Sequence, residues 1–323
     1  MKSLFQRPDR LHYPLYVVTT VFNSPRFRSR LKLYQDFALH VERHGGKLIT
    51  VEVAFGDRDF AVTEPGRLDH VQLRTKHEIW HKERCMNLGV ERLAAIDHNW
   101  FAVATIDADV QFVRPDWTNE TLHRLQHFPV IQMWRTAHDL DAKHQITQKW
   151  ESFAWHVERG LPMGDGSYYY GERPSFPHPG FAWAWRRDAW DNVGGMIDWA
   201  VLGSGDQYMA HALIGNAERV LDKKFSERYR GYTLEWQARA EKYIRRNVGC
   251  MEGSILHFWH GPKVDRRYRT RSQILVRNQF DPFLDLKRDW QGLDQLVDRG
   301  DARSRRLRDE IRTYFHERNE DAA

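Results

Sequence analysis

Hydrophobic and polar positions along this 323-residue chain fall into blocks that switch between a strand-like and a helix-like period. Residues 13–21 (YPLYVVTTV) are apolar, β-branched and aromatic, and read as a buried strand. After the turn FNSPRF, Phe27, Leu31, Tyr34, Phe37, Ala38 and Val41 recur at three- and four-residue steps. That spacing predicts an amphipathic helix, closed by Gly45 and Gly46. Residues 48–55 (LITVEVAF) predict a second strand. Strand, helix and strand with short joins imply a parallel pair with a right-handed crossover. A second helix is expected over 77–95, then a third strand over 100–106 (WFAVATI) that ends in Asp107-Ala108-Asp109.

From about residue 132 to 180 the chain is rich in Trp, Tyr, Gly and Pro, and reads as loops with one short helix. The pattern then predicts a strand over 181–186 (FAWAWR) and a short helix over 187–193 closed by Gly194 and Gly195. Further helices are expected from Asp206 to Leu213 and from Leu234 to Arg246. A late strand over 254–259 and a highly charged helix over 301–317 complete the series. There is no internal repeat and no low-complexity tract.

Composition narrows the class. A hydrophobic content of 41% with 13% aromatic residues is that of a folded protein and excludes disorder. The only cysteines, Cys85 and Cys250, exclude a disulfide scaffold and a cysteine-rich zinc site. The segment MKSLFQRPDRLHYP has no apolar signal core, and no stretch approaches the roughly 18 apolar residues of a membrane span, so a cytoplasmic location is expected. The net charge of +5 is concentrated in residues 263–271 and 303–308. Such a field attracts nucleoside diphosphates, nucleic acid or an anionic membrane surface. The 13 tryptophans are either core or flat faces for stacking on sugars or bases.

The Asp-x-Asp tripeptide occurs three times: Asp57-Arg58-Asp59, Asp107-Ala108-Asp109 and Asp139-Leu140-Asp141. Chance alone supplies such hits, so context must separate them. Asp107 and Asp109 follow an apolar strand and emerge at the carboxyl edge of a parallel sheet, where open α/β sheets bind ligands. One residue apart in extended chain, they point the same way. They could hold Mg²⁺ or Mn²⁺ against a diphosphate. The alternative is an Asp-rich strand end.

Two later stretches add chemistry. In HPGFAWAWRR, Gly180 lets backbone approach a ligand, and the aromatic strand offers a wall for a sugar face. In GSGD, Asp206 opens a helix, with Ser204 a possible cap; on its own this is dipole compensation. In HFWHG, a strand would put His257 on one face and Trp259 on the other, so that His257 could join the carboxylates. His260 is the substitute if the register is off by one.

In this order, TIDAD, HPGFAWAWRRDAWDNVGG, GSGDQYMAHAL and ILHFWHG resemble the GT-A glycosyltransferases over residues 13–271. The resemblance implies an α/β fold with a mostly parallel sheet flanked by helices, a nucleotide-binding half (13–115), an acceptor half (116–271) and a charged helical extension (272–323). It implies a metal-dependent transfer from a nucleotide sugar, with a UDP-sugar favoured, to an acceptor hydroxyl on a glycan or modified DNA. Asp109, Asp107 and His257 would hold the metal, and Asp206 would be the general base of an inverting reaction. Thr20, Asn23, Arg28, Asp57 (or Asp59), Lys82 and Asn87 would contact the nucleotide. Lys263 and Arg266 would meet its phosphates, and residues 132–180 the acceptor. The pair Gly205-Asp206 departs from the acidic pair of many relatives. A nucleic-acid-binding protein with a basic tail is the rival reading; it explains the charge but not the strand-end aspartates.

Overall fold

The β-branched run at the start of the chain forms β1 (Tyr16–Phe22), whose neighbours Val17 and Val18 are both fully buried. They belong to different apolar clusters, so the strand is covered on both faces. A strand buried in this way has no polar alternation, and this explains why it reads as a continuous apolar run. The computed structural model describes residues 13–164 and 176–322. β1 pairs in parallel with β2 (Lys47–Phe55), β2 with β3 (His70–Thr75), and β1 also with β4 (Ala102–Ile106). The large sheet has the order β10-β6-β9-β4-β1-β2-β3, with β6 at Val130–Gln132, β9 at Ala182–Arg186 and β10 at Val248–Cys250. β9 is antiparallel to both its neighbours, β4 and β6; the other pairings are parallel. This is the mostly parallel, helix-flanked α/β sheet that the resemblance implies.

Helices α1 (Arg28–Arg43) and α2 (Lys82–Ile96) lie on opposite faces, each burying its apolar stripe against β1 and β2. α2 starts five residues later than the apolar spacing suggests. Residues before it are held in a turn: the His77 carbonyl bonds the His81 ring, and the Trp80 N–H donates to the Val201 carbonyl. The delay leaves Lys82 and Glu83 in the first turn of α2. β3 was not anticipated, because a six-residue alternating edge strand gives only a short signal.

The region 132–180 is not only loop. A second sheet of order β5-β11-β7-β8 passes through it, built from β5 (Val110–Phe112), β7 (Thr136–Leu140), β8 (Ile146–Glu151) and β11 (Ser254–His257). The short α3 (Trp117–Arg124) and α4 (Phe153–Arg159) accompany it, and residues 165–175 lie outside the described residues. Then follow α5 (Arg187–Val193), α6 (Gly205–Leu213) and α7 (Glu227–Tyr243). α7 begins seven residues earlier than expected, where the Ser226 hydroxyl caps the Tyr229 N–H. Ser204 is not a cap: its φ is 76°, and its hydroxyl accepts from Arg271.

The charged segment from residue 272 carries α8 (Gln273–Arg277), α9 (Pro282–Asp285) and α10 (Ala302–His316). It folds back onto the molecule. Asp321 accepts from the Arg28 and Ser29 N–H groups at the start of α1. Arg303 is paired with Asp285, and Arg306 donates to Asn278, so these cations of the basic helix are used within the chain. No described helix is long and apolar enough to cross a membrane.

Candidate metal and transfer site

The carboxyl ends of β1 and β4, the end of β7, the end of β11 and the starts of α2 and α6 open on one cavity of about 740 Å³. Its deepest cluster is assembled by strand register. His257 at the end of β11 pairs with Val110 of β5 on one side and with Asp139 of β7 on the other. Asp109, next to Val110, is thereby brought to the His257 ring. Asp109, His257 and His260 each present one ligand atom within 4.8 Å of the others.

The hydrogen bonds order this cluster. The His257 Nδ1 lies 2.6 Å from Asp139 Oδ1. A carboxylate accepts only, so Nδ1 carries the proton and the Nε2 lone pair faces Asp109 and His260. Trp150 Nε1 donates to the same aspartate at 2.6 Å, and Lys263 completes its shell. Burial would favour the neutral acid at Asp139, but His257 and Lys263 overcome it and hold the carboxyl far below its ordinary value. The Nδ1 of His260 faces the guanidinium groups of Arg30 and Arg266, which have no acceptor, so its proton sits on Nε2, 3.1 Å from Asp109 Oδ2. Burial, Arg266 and Arg30 push the His260 imidazolium down to about 3, so the ring is neutral.

Asp109 is 6% exposed, and burial opposes its ionisation; His260, His257 and Arg30 nevertheless hold it well below the carboxylate range. Its Oδ1 is buried with no hydrogen-bond partner. An ionised oxygen left unpaired at that depth costs several kcal/mol by order of magnitude unless a cation meets it. The residues therefore fit a divalent ion held by Asp109 and the His257 Nε2, with His260 joining through Nε2 in its other tautomer, its proton moved to Nδ1 and the Arg30 and Arg266 guanidinium groups turned aside. Two imidazoles beside one carboxylate are a poor match for Mg²⁺, which prefers an all-oxygen shell.

Asp107 does not belong to this group. Lys82 Nζ is 2.7 Å from its Oδ1 and 3.0 Å from its Oδ2. Burial raises the Asp107 carboxyl, and Lys82 opposes that rise. Both side chains line the cavity. Asp206 lines it too, on the first turn of α6, and its Oδ1 accepts from the Gln207 N–H at 2.9 Å. Gly180 is where backbone meets this acid: a Cβ there would stand 2.7 Å from Asp206 Oδ2.

The remaining expected residues divide. Thr20 and Asn23 line the cavity, Asn23 also bracing the turn into α1 through the Phe27 N–H and carbonyl. Arg28 is exposed outside it, whereas Arg30, two residues on, lines it. Asp57 and Asp59 are exposed on the turn after β2, away from the cavity. Asn87 faces the core, where it bonds the backbone of Met196 and the carboxylate of Asp198. Lys263 and Arg266 line the cavity, Lys263 paired with Asp139 and Arg266 bonded to His260. Arg269, exposed at the rim, has no such tie among the described residues.

Three contributors were missed by the sequence reading. Asp139, in the third Asp-x-Asp, orients His257; its signal is the strand-like TAHDL that contains it. Arg30 approaches Asp109 at 3.4 Å. Glu320, from the far end of the chain, clamps Arg30 with both oxygens and accepts from Arg318 at 2.8 Å. No local pattern announces a pairing across 290 residues.

No family model and no curated protein matches the chain. Solved structures that resemble it include a Desulfovibrio desulfuricans G20 protein described as a nucleotide-diphospho-sugar transferase, with 14% identity, TM-score 0.37, and 94% of this chain and 97% of that one covered. A variant of a Drosophila β-1,4-galactosyltransferase 7, in complex with manganese, UDP-Gal and xylobiose, is similar at 10% identity and TM-score 0.33, over 65% and 63% of the two chains. A 4-diphosphocytidyl-2C-methyl-D-erythritol synthase from Anaerococcus prevotii DSM 20548 is similar at 10% identity and TM-score 0.29, over 75% and 87%.

Proposed function

We propose that the protein transfers a glycosyl group from a nucleoside diphosphate sugar, UDP-linked by preference, to a hydroxyl of a glycan acceptor, with inversion at the anomeric carbon. One observation carries the reading: a single cavity holds a cation-ready group (Asp109, His257, His260) and, apart from it, the carboxylate of Asp206. Asp109, His257 and His260 would hold Mn²⁺, which supplies positive charge to a departing diphosphate. Arg269 at the rim adds a cationic group for phosphate oxygens. Asp206 accepts the acceptor hydroxyl's proton as that oxygen attacks. Asp107 neutralises Lys82, so the ammonium orients the donor without repelling the metal site. Trp150, Phe176 and His178, from the region expected to meet the acceptor, form an aromatic wall.

The test is isothermal titration with UDP and GDP, each with and without Mn²⁺, on the native protein and on Asp109→Ala. Mn²⁺-dependent UDP binding that weakens about 100-fold or more in the variant supports the reading, since one charged ligand and its metal are lost together. Native protein that binds neither nucleotide with Mn²⁺ refutes it.

A further inference from the structure

A second acid faces the cavity beside Asp206. Glu83, on the first turn of α2, lines the cavity at 3% exposure. Gly205, the residue before Asp206, has no room for a side chain because of it: a Cβ there would stand 2.9 Å from the Glu83 carboxyl carbon and from Oε1. The Ile197 carbonyl, at 3.0 Å, closes the other side. Glycine at position 205 thus lets a carboxyl from α2 sit directly against the start of α6. Asp206 and Glu83, 123 positions apart in sequence (206 − 83), form an acid pair across two helices.

The charges around this pair do not balance if every acid ionises. Asp107, Asp206 and Glu83 converge on one ammonium, Lys82, which is committed to Asp107 at 2.7 Å. The next cation, Arg271, is engaged with the Ser204 and Tyr314 hydroxyls, and Tyr229 of α7 and the thiol of Cys85, also within electrostatic reach of Glu83, bring no positive charge. Burial, with Asp206 and Asp107 adding to it against Lys82, pushes the Glu83 carboxyl up to about 8. A carboxylic acid that keeps its proton offers one donor and one acceptor and no charge. Such a group suits a neutral polyol, whereas the charged residues around Asp109 suit a diphosphate and its metal.

We propose that Glu83 is the side chain that binds hydroxyl groups of the transferred sugar, as a neutral hydrogen-bonding acid in the space left open by Gly205. This rests on the glycosyl-transfer reading and adds a residue specific for the sugar rather than the nucleotide.

Titrations near neutral pH with Mn²⁺ test it, using UDP, UDP-glucose and UDP-galactose on the native protein, Glu83→Ala and Glu83→Gln. In Glu83→Ala the better-bound UDP-sugar should weaken about tenfold or more, the worth of one or two buried hydrogen bonds, with UDP changed less than about threefold. Glu83→Gln, which keeps a donor and an acceptor, should stay within about threefold of native for both ligands. Equal losses of UDP and UDP-sugar in Glu83→Ala, or no loss of either, overturn the proposal; so does Glu83→Gln as damaging as Glu83→Ala. Native protein that fails to bind UDP counts against the transferase reading instead. Infrared difference spectra then decide the role of Glu83 separately. The protonated-carboxyl band lost in Glu83→Gln should shift when free glucose or galactose is added at high concentration, and a band that neither sugar moves overturns the assignment.

Discussion

The two sheets that meet at the cavity are built by opposite means. In the large sheet every residue of β4 is buried, and β1, β2 and β4 are joined by crossovers through α1, β3 and α2. Their side chains need only be apolar and β-branched, so many sequences would serve. In the small sheet β8 is mostly exposed, and β11 is four residues long. Its value lies in register: the pairing of His257 with Asp139 spans 118 residues, and a slip of one position would turn the His257 ring to the other face. The large sheet thus supplies a durable edge from which Asp107 and the starts of α2 and α6 project. The small sheet supplies a candidate metal centre whose geometry depends on one alignment.

If the large-sheet side performs the proton transfer, Asp206→Asn should show the largest effect. Under saturating donor, kcat is expected to fall about 10²–10⁴-fold while donor KM moves little. A steady-state assay in which KM carries the loss would assign Asp206 to donor binding and blur the distinction between the sides. On the small-sheet side, Asp139→Asn should weaken Mn²⁺ binding about 10–100-fold, because the His257 ring loses its charged anchor and Lys263 its partner. Electron paramagnetic resonance of bound Mn²⁺ reads this directly; unchanged affinity would mean that register alone fixes the ring.

A third effect concerns stability of the large-sheet side. The Glu83 carboxyl is raised in the folded state to about 8, so it binds its proton more tightly there than in the unfolded chain. Its contribution is fully present below the unfolded value and is lost as pH rises through about 8. Native protein should therefore lose on the order of a few kcal/mol relative to Glu83→Gln as pH climbs from about 4.5 past 8. Denaturant melts of the two proteins that stay parallel across this range would show that Glu83 ionises freely.

The same contrast explains what could be read from sequence. β1, β2, β4 and α1 were legible because burial on two faces, or on one helical stripe, writes itself as local periodicity. Asp109 and Asp206 were legible because strand ends and helix starts in such a sheet are ligand-facing by topology. Asp107 was assigned with Asp109, but the delayed start of α2 delivers Lys82 to it. Asp139, Arg30 and Glu320 were not legible, because each acts through a partner far along the chain. Tryptophan was read both ways: Trp117, Trp134, Trp185 and Trp236 are core, while Trp80, Trp150 and Trp259 reach the cavity.

The return of residues 318–322 to the start of α1 has a kinetic consequence. Glu320 and Asp321 close contacts across about 290 residues with Arg28, Ser29 and Arg30. Closing so long a loop costs only logarithmically more entropy than a short one, but such contacts can form only after the intervening sheet exists. The charge balance around Asp109 is therefore expected to form late in folding, and to be lost when the contacts of residues 318–322 with α1 open. Readiness of the cavity for a cation is in this sense a property of contacts between distant segments, acquired after the sheet and surrendered before it.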